Sequence, residues 1–191
     1  MEPSIILASN SPRRRELLAQ IGLSFTIAPA DVDESVMPGE SPEAYAVRVA
    51  LEKARVAAKR AGEGIVIAAD TIVVIGDSIL GKPADARDAE GMLALLAGKE
   101  HRVVTGLAVM DAATARSVTR ISVTKVWFRD LAGREIAAYV ATGEPLDKAG
   151  AYGIQERGAL LVERIEGCYS NVVGLPLSLL GEMLREFGIY L

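Results

Sequence analysis

Leu7-Ala8-Ser9-Asn10-Ser11-Pro12-Arg13-Arg14-Arg15-Glu16-Leu17-Leu18 is the stretch on which the reading of this chain turns. It joins a short strand, a tight turn and the start of a helix. Ile5 to Ala8 is apolar and short, as a buried strand is. Ser11 is a favourable N-cap, and Pro12 at the first helical position has no N–H to leave unsatisfied. Leu17, Leu18 and Ile21 then give the helix a buried face. The three arginines run against local physics. A helix N-terminus carries partial positive charge, so a cation there costs roughly a few tenths of a kcal/mol or more. Free N–H groups, the helix dipole and a guanidinium cluster together form an anion trap, which we read as a polyphosphate site. The plainer reading is a solvated basic helix face. The strand-turn-helix setting favours the anion site.

Working outward, the 191 residues fit one domain with room for two lobes, and half of them are hydrophobic, enough for a sizeable core. The net charge of −4 opposes a general nucleic-acid binder, which needs a basic face. Positive charge is instead local, as a small anionic ligand requires. A single cysteine, Cys168, excludes an internal disulfide, cannot build a zinc site and fits a reducing cytosol. His101 is the only histidine, so His-based metal sites and Ser-His-Asp triads have no second histidine to draw on. The N-terminus does not read as a signal peptide, and no apolar run approaches a membrane span.

Along the chain, Phe25 to Ala28 reads as a second strand, followed by an acidic, Pro/Gly-punctuated loop from Pro29 to Glu40. Ser41 and Pro42 open a helix that runs to about Arg60 and stops at Gly62. Ile65 to Ile75 is the most apolar segment and reads as a central strand buried on both faces. Gly76-Asp77 marks a hairpin-like turn into a short strand. Asp85 to Ala97 is a helix, Arg102 to Met110 and Ser117 to Phe128 are longer strands, and the second of these is half exposed and antiparallel. Glu135 to Thr142 is helical, Gly143 to Gln155 a long loop, Leu160 to Ile165 a strand, and Pro176 begins the last helix. Early alternation of helices and strands, with an antiparallel pair later, predicts an α/β domain with a mixed sheet.

Asp70 and Thr71 interrupt the buried strand. An ionised carboxylate there is costly unless it is paired or metal-bound. Among basic residues and phosphates, Asp70 suits a Mg²⁺ ligand or a general base for water. Taken alone, Lys53 reads as a solvent-exposed lysine and Glu34 as a solvated carboxylate. Lys82, between Gly81 and Pro83, is well placed for a phosphate, though Gly-Lys-Pro is a weak motif. Gln155 carries a donor and an acceptor fit for a base edge. His101 reads as structural. No Walker A loop, dinucleotide fingerprint or Cys/His metal spacing is present.

Taken together and in order, LASNSPRRRELL, Val32–Glu34, Glu52–Arg55, AADTIV, Gly81–Pro83, Val103–Gly106, EPLDKAGAYGIQ and NVVGLP make the chain resemble the Maf proteins over nearly its whole length. The resemblance implies a cytoplasmic nucleoside triphosphate pyrophosphatase using a divalent metal, Mg²⁺ or Mn²⁺. It also implies an inosine triphosphate pyrophosphatase-like fold, with a mixed central sheet flanked by helices and two lobes with a cleft, across a single domain of residues 1–191. By the same resemblance Ser9, Arg13, Arg14, Lys53 and Lys82 bind phosphates, Asp70 is the proton acceptor, and Glu34, with Asp70, is tied to the metal. Arg13, Thr71 and Gln155 match positions associated with base choice. The AADT and AGAYGIQ forms point to the subgroup acting on dTTP and UTP. Glu156 departs from the family pattern, in which many members carry glycine after Gln155. A homodimer is the expected assembly, and neither nucleic acid nor membrane is an expected partner. The competing reading is a non-catalytic, nucleotide-binding regulator that inhibits septum formation.

Overall fold

The computed structural model describes residues 3–191. The Ile/Val run is strand β3, Ile65–Ile75, and it is buried along almost its whole length. β1 (Ile5–Leu7) lies parallel to it, with Ile5 opposite Ile65 and Leu7 opposite Ile67. β2 (Thr26–Ile27) extends this arrangement, parallel to β1. Parallel neighbours need crossovers. Helix α1 (Pro12–Gln20) links β1 to β2, and α2 (Pro42–Ala61) links β2 to β3. Gly76, at φ 58°, turns the chain back into β4 (Ser78–Leu80), antiparallel to β3. Helix α3 (Ala86–Leu96), β5 (Glu100–Asp111), β6 (Ser117–Phe128), α4 (Gly133–Val140), β7 (Val162–Glu166), α5 (Tyr169–Val173) and α6 (Leu177–Arg185) complete the order. The strands pair as β2-β1-β3-β5-β6-β7, with β4 also on β3, and β6 meets β7 antiparallel. The expected mixed sheet is therefore present.

The chain divides into two compact units, and β3, β5 and β6 contribute residues to both. The first holds the chain up to Thr71, with Thr105–Ser122 and Gly174–Leu191. Where α2 packs, its core is built of small side chains: Ala50, Ala54 and Ala57 of α2 join Ala8, Val66, Ala68 and Ala108. Such residues let a helix approach a sheet closely. The tightest point is Gly106, where a Cβ would stand 2.1 Å from the Ala46 carbonyl oxygen. The second unit holds Ile72–Val104 and Val123–Val173. Its core includes Leu93, Leu96, Val126, Phe128, Tyr139 and Tyr152. His101 is structural, as expected. It is buried, its Nε2 lies 2.7 Å from the Tyr152 hydroxyl, and its ring meets Phe128 and Tyr152 edge-on.

Several expectations need correction. Ser11 occupies the N-cap of α1, but its side chain makes no capping bond; its N–H instead donates to Ser9 Oγ at 3.2 Å. The loop from Gly143 to Gln155 contains two 3₁₀ turns, Glu144–Asp147 and Ala149–Ala151, and buries Pro145, Ala151 and Tyr152. A further 3₁₀ turn, Glu156–Leu160, delays the next strand to Val162. Tyr169–Val173 is a short helix that the sequence reading did not include. Its Asn171 amide is fully buried and donates to the Val103 carbonyl and Thr124 Oγ1. These partners lie far away in sequence, so local propensity could not announce the helix.

Candidate active site

The first unit gathers most of the residues that the sequence singled out. β1 ends at Leu7, and Ser9 and α1 follow in the turn above it. Arg14, in the first turn of α1, points inward and is only 9% exposed. Its Nε donates to the Gly174 carbonyl at 2.8 Å. Its Nη1 donates to Ser9 Oγ at 3.2 Å and to the Ala69 carbonyl at 2.9 Å, and its Nη2 to Thr71 Oγ1 at 3.0 Å. The fixed fork of a guanidinium suits such a bridge, which a lysine could not reproduce. In this structure all four of these Arg14 hydrogen bonds go to protein groups. Ser9 Oγ accepts from both Ser11 N–H and Arg14, which leaves its hydroxyl proton to donate elsewhere. Arg13, the next residue back, is half-buried.

Asp70 sits in β3 between Ala69 and Thr71, the two residues gripped by Arg14. It is 7% exposed. A buried carboxylate needs a partner, and Lys53 supplies one, with Nζ 2.8 Å from Asp70 Oδ1. The same Nζ lies 2.7 Å from Glu34 Oε1. Lys53 is therefore not the solvated lysine that its mid-helix position implies, nor is Glu34 an isolated surface carboxylate. One ammonium joins one oxygen from each of two acids, with Asp70 buried and Glu34 more than half exposed.

The acidic loop is fastened to α2. Tyr45 donates its hydroxyl proton to the Glu34 carbonyl at 2.9 Å. Arg48 donates to both oxygens of Glu40, at 2.6 and 2.9 Å, and to the Ser35 carbonyl at 2.9 Å. Tyr45 and Lys53 stand eight residues apart on one helical face, so α2 both supplies the ammonium and places the loop that meets it. Burial, reinforced by the Asp70 and Glu34 carboxylates, pushes the Tyr45 phenol up to about 12, so it stays a donor. Burial pulls the Arg14 guanidinium down, an effect countered by the Asp70 carboxylate.

Sequence reading missed Tyr45, Arg48, Thr105 and Gly174. Thr105 is fully buried with its hydroxyl 2.9 Å from that of Thr71. Gly174 offers its carbonyl to Arg14 and, at 3.3 Å, to Thr71. Both sit inside stretches noted above, Val103–Gly106 and NVVGLP, but a backbone carbonyl and a buried threonine carry no chemical signature in a string of letters.

Two candidates belong to the second unit. Lys82 is exposed on the segment between β4 and α3, next to Gly81, whose carbonyl accepts from Gly150 N–H at 2.9 Å. Gln155 is half-buried and precedes the 3₁₀ turn Glu156–Leu160.

The donor set bears on which metal the site would suit. No group of three or more His, Cys, Asp or Glu side chains among the described residues is placed to hold an ion. Glu34 and Asp70 offer oxygen only. That fits a hard divalent cation such as Mg²⁺ or Mn²⁺, which completes its shell with water and substrate phosphate oxygens, and does not fit an all-protein cage.

Comparison with known proteins shows which family the chain belongs to. The model of the family described as Maf-like protein matches residues 4–187. A protein of Pelotomaculum thermopropionicum called dTTP/UTP pyrophosphatase is 50% identical over 184 residues, covering 96% of each chain. One of the same name from Anaeromyxobacter dehalogenans is 53% identical over 190 residues, 98% of this chain and 96% of its own. Among solved structures, a HAM1 protein from Coxiella burnetii shares the fold at a TM-score of 0.55 and 19% identity, covering 96% of this chain and 99% of its own. This chain belongs to the Maf family.

Proposed function

We propose that the chain hydrolyses nucleoside triphosphates, dTTP and UTP foremost, to the monophosphate and pyrophosphate. The carrying observation is Lys53, held between Glu34 and Asp70 beside the Arg14-braced turn that opens α1. The names of the relatives at 50–53% identity support the same reading. Water attacks the α-phosphorus. Asp70 accepts its proton as the new P–O bond forms, and pyrophosphate leaves with the electrons of the broken P–O bond. When no substrate is bound, Lys53 neutralises Asp70. A triphosphate offers Lys53 stronger acceptors, and its partial release from Asp70 leaves that carboxylate able to take a proton. Ser9 donates its hydroxyl proton to a phosphate oxygen, and Arg13, Lys53 and Lys82 neutralise the chain. Arg14 acts from behind, holding Ser9 and Thr71. Thr71 and Gln155 meet the base. A divalent metal held by Glu34 and Asp70 would supply charge neutralisation and polarisation of the phosphates. Such transfers depend on position and charge more than on covalent help, which suits a site where water is the nucleophile.

The test is pyrophosphate release from dTTP, UTP, CTP, ATP and GTP with Mg²⁺ or Mn²⁺ and with chelator. Metal-dependent release led by dTTP and UTP supports the proposal. No release by the folded protein overturns it and leaves a nucleotide-binding regulator. A cytoplasmic location and a homodimer belong to the same proposal. Among the described residues no helix is long and apolar enough to cross a membrane. Sedimentation showing a single monomeric species would remove the dimer.

A further inference from the structure

In the second unit, the segment from Gly153 to Gly158 is closed on itself. A Cβ at Gly158 would stand 1.9 Å from the Gly153 carbonyl oxygen and 2.7 Å from the Tyr139 hydroxyl, so the two ends touch and only glycine fits. Gln155 and Glu156 form the tip. The backbone of Glu156 is left-handed, at φ 52°. A non-glycine residue there is uncommon and costs on the order of 1 kcal/mol, so surrounding structure must impose it.

The imposing group is Glu144. Its Oε1 accepts from the Tyr139 hydroxyl at 2.9 Å and from Gly158 N–H at 3.2 Å, and its Oε2 accepts from Arg157 N–H at 3.3 Å. The Tyr139 hydroxyl in turn accepts from Gly153 N–H at 3.3 Å. One carboxylate and one phenol thus hold both ends of the closed segment. Glu144 is itself fixed: its N–H donates to Thr142 Oγ1 at 3.1 Å, and its carbonyl accepts from Lys148 Nζ at 2.6 Å. Tyr139 is buried in the core of this unit, so the clamp is anchored to a rigid layer.

We propose that Glu144 and Tyr139 are positioning residues for base selection: they touch no substrate, and they fix the angle at which Gln155 presents its amide. The inference rests on the reading of Gln155 as a base contact. A hydrogen-bonding reader discriminates only while its donor and acceptor stay in register with the base edge. An error of about 1 Å in such a group changes rates by roughly 10²-fold. Releasing the clamp therefore lowers the preference for one base over another more than it lowers hydrolysis as such.

The experiment measures kcat/KM for dTTP, UTP and CTP in the wild type and in Tyr139→Phe, Glu144→Gln, Glu144→Ala and Gln155→Ala, together with each melting temperature. The expected result is a fall in the dTTP-over-CTP ratio of about tenfold or more in Glu144→Ala, with Tyr139→Phe and Glu144→Gln intermediate because each keeps part of the contact set. If Gln155→Ala changes the ratio while folded Glu144→Gln and Tyr139→Phe leave it as in the wild type, the clamp proposal is overturned. If all three nucleotides fall in proportion, the residues are merely structural and it is likewise overturned. If Gln155→Ala itself leaves the ratio unchanged, the reading of Gln155 fails first and takes the inference with it. Should Glu144→Ala not fold, the phenylalanine and glutamine variants decide.

Discussion

Arg14 and His101 are both buried ionisable side chains, one in each compact unit, and they answer burial in opposite ways. Arg14 keeps its charge by directing hydrogen bonds at Ser9, Ala69, Thr71 and Gly174. His101 gives its charge up. Burial, only partly countered by the Lys99 backbone, lowers it to about 4, and it packs as an aromatic ring against Phe128 and Tyr152. A charge that many acceptors hold can organise a site around itself. A ring that has shed its charge serves only the core. The first unit thus has a scaffold on which Asp70 is placed between two gripped neighbours. The second has a hydrophobic platform from which the 153–158 segment projects.

The comparison can be broken in order of expected effect. Asp70→Asn replaces the carboxylate proposed as the base by an amide of nearly the same size. Turnover falls by about 10²- to 10⁴-fold while nucleotide binding persists. Steady-state kinetics with equilibrium binding checks this, and near-normal turnover would transfer the base role away from Asp70. Arg14→Met strands the Ala69 and Gly174 carbonyls without their donor and should cost about 3 kcal/mol or more in urea unfolding. A loss under about 1 kcal/mol would show that Arg14 is not the brace of this unit.

His101 sharpens the other side. In the unfolded chain it titrates near 6.5, and in the folded protein near 4. Its contribution is thus fully present above pH 6.5, is lost as pH falls from 6.5 toward 4, and changes no further below that. The full loss is about 3 kcal/mol. Unfolding free energies of the wild type and His101→Gln from pH 8 to 4 isolate it, since the carboxylates titrate in both. Parallel pH profiles would mean that His101 is not held neutral by burial. Thr105→Val is the smallest change. It removes the hydroxyl partner of Thr71 and leaves Arg14 in place, for a loss of about 1 kcal/mol. A variant as stable as the wild type would confine the brace to Arg14 alone.

The fold was largely legible because its strongest elements have strong local causes. β3 is a run of Ile and Val, and α2 begins at a serine that caps Ala44 N–H and ends at a left-handed glycine. Such signals need no partner from elsewhere in the chain. The short helix Tyr169–Val173 and the 3₁₀ turns after Gly143 were not legible. Their backbone is held by contacts such as Asn171 with Val103 and Glu144 with Gly158, which join residues widely separated in sequence or folded back by a closed turn.

Within the candidate site the division is the same. The sequence alone determined the chemical inventory: an arginine-rich helix start, a carboxylate inside an apolar strand, two lysines and an amide, with one histidine and one cysteine in the whole chain. It could not determine that, of three adjacent arginines, Arg14 is the one that turns inward, nor that Lys53 joins Glu34 to Asp70. Those outcomes were decided only by the tertiary structure. A buried charge settles where compensating groups converge, and that convergence is set by how α1, α2 and β3 pack.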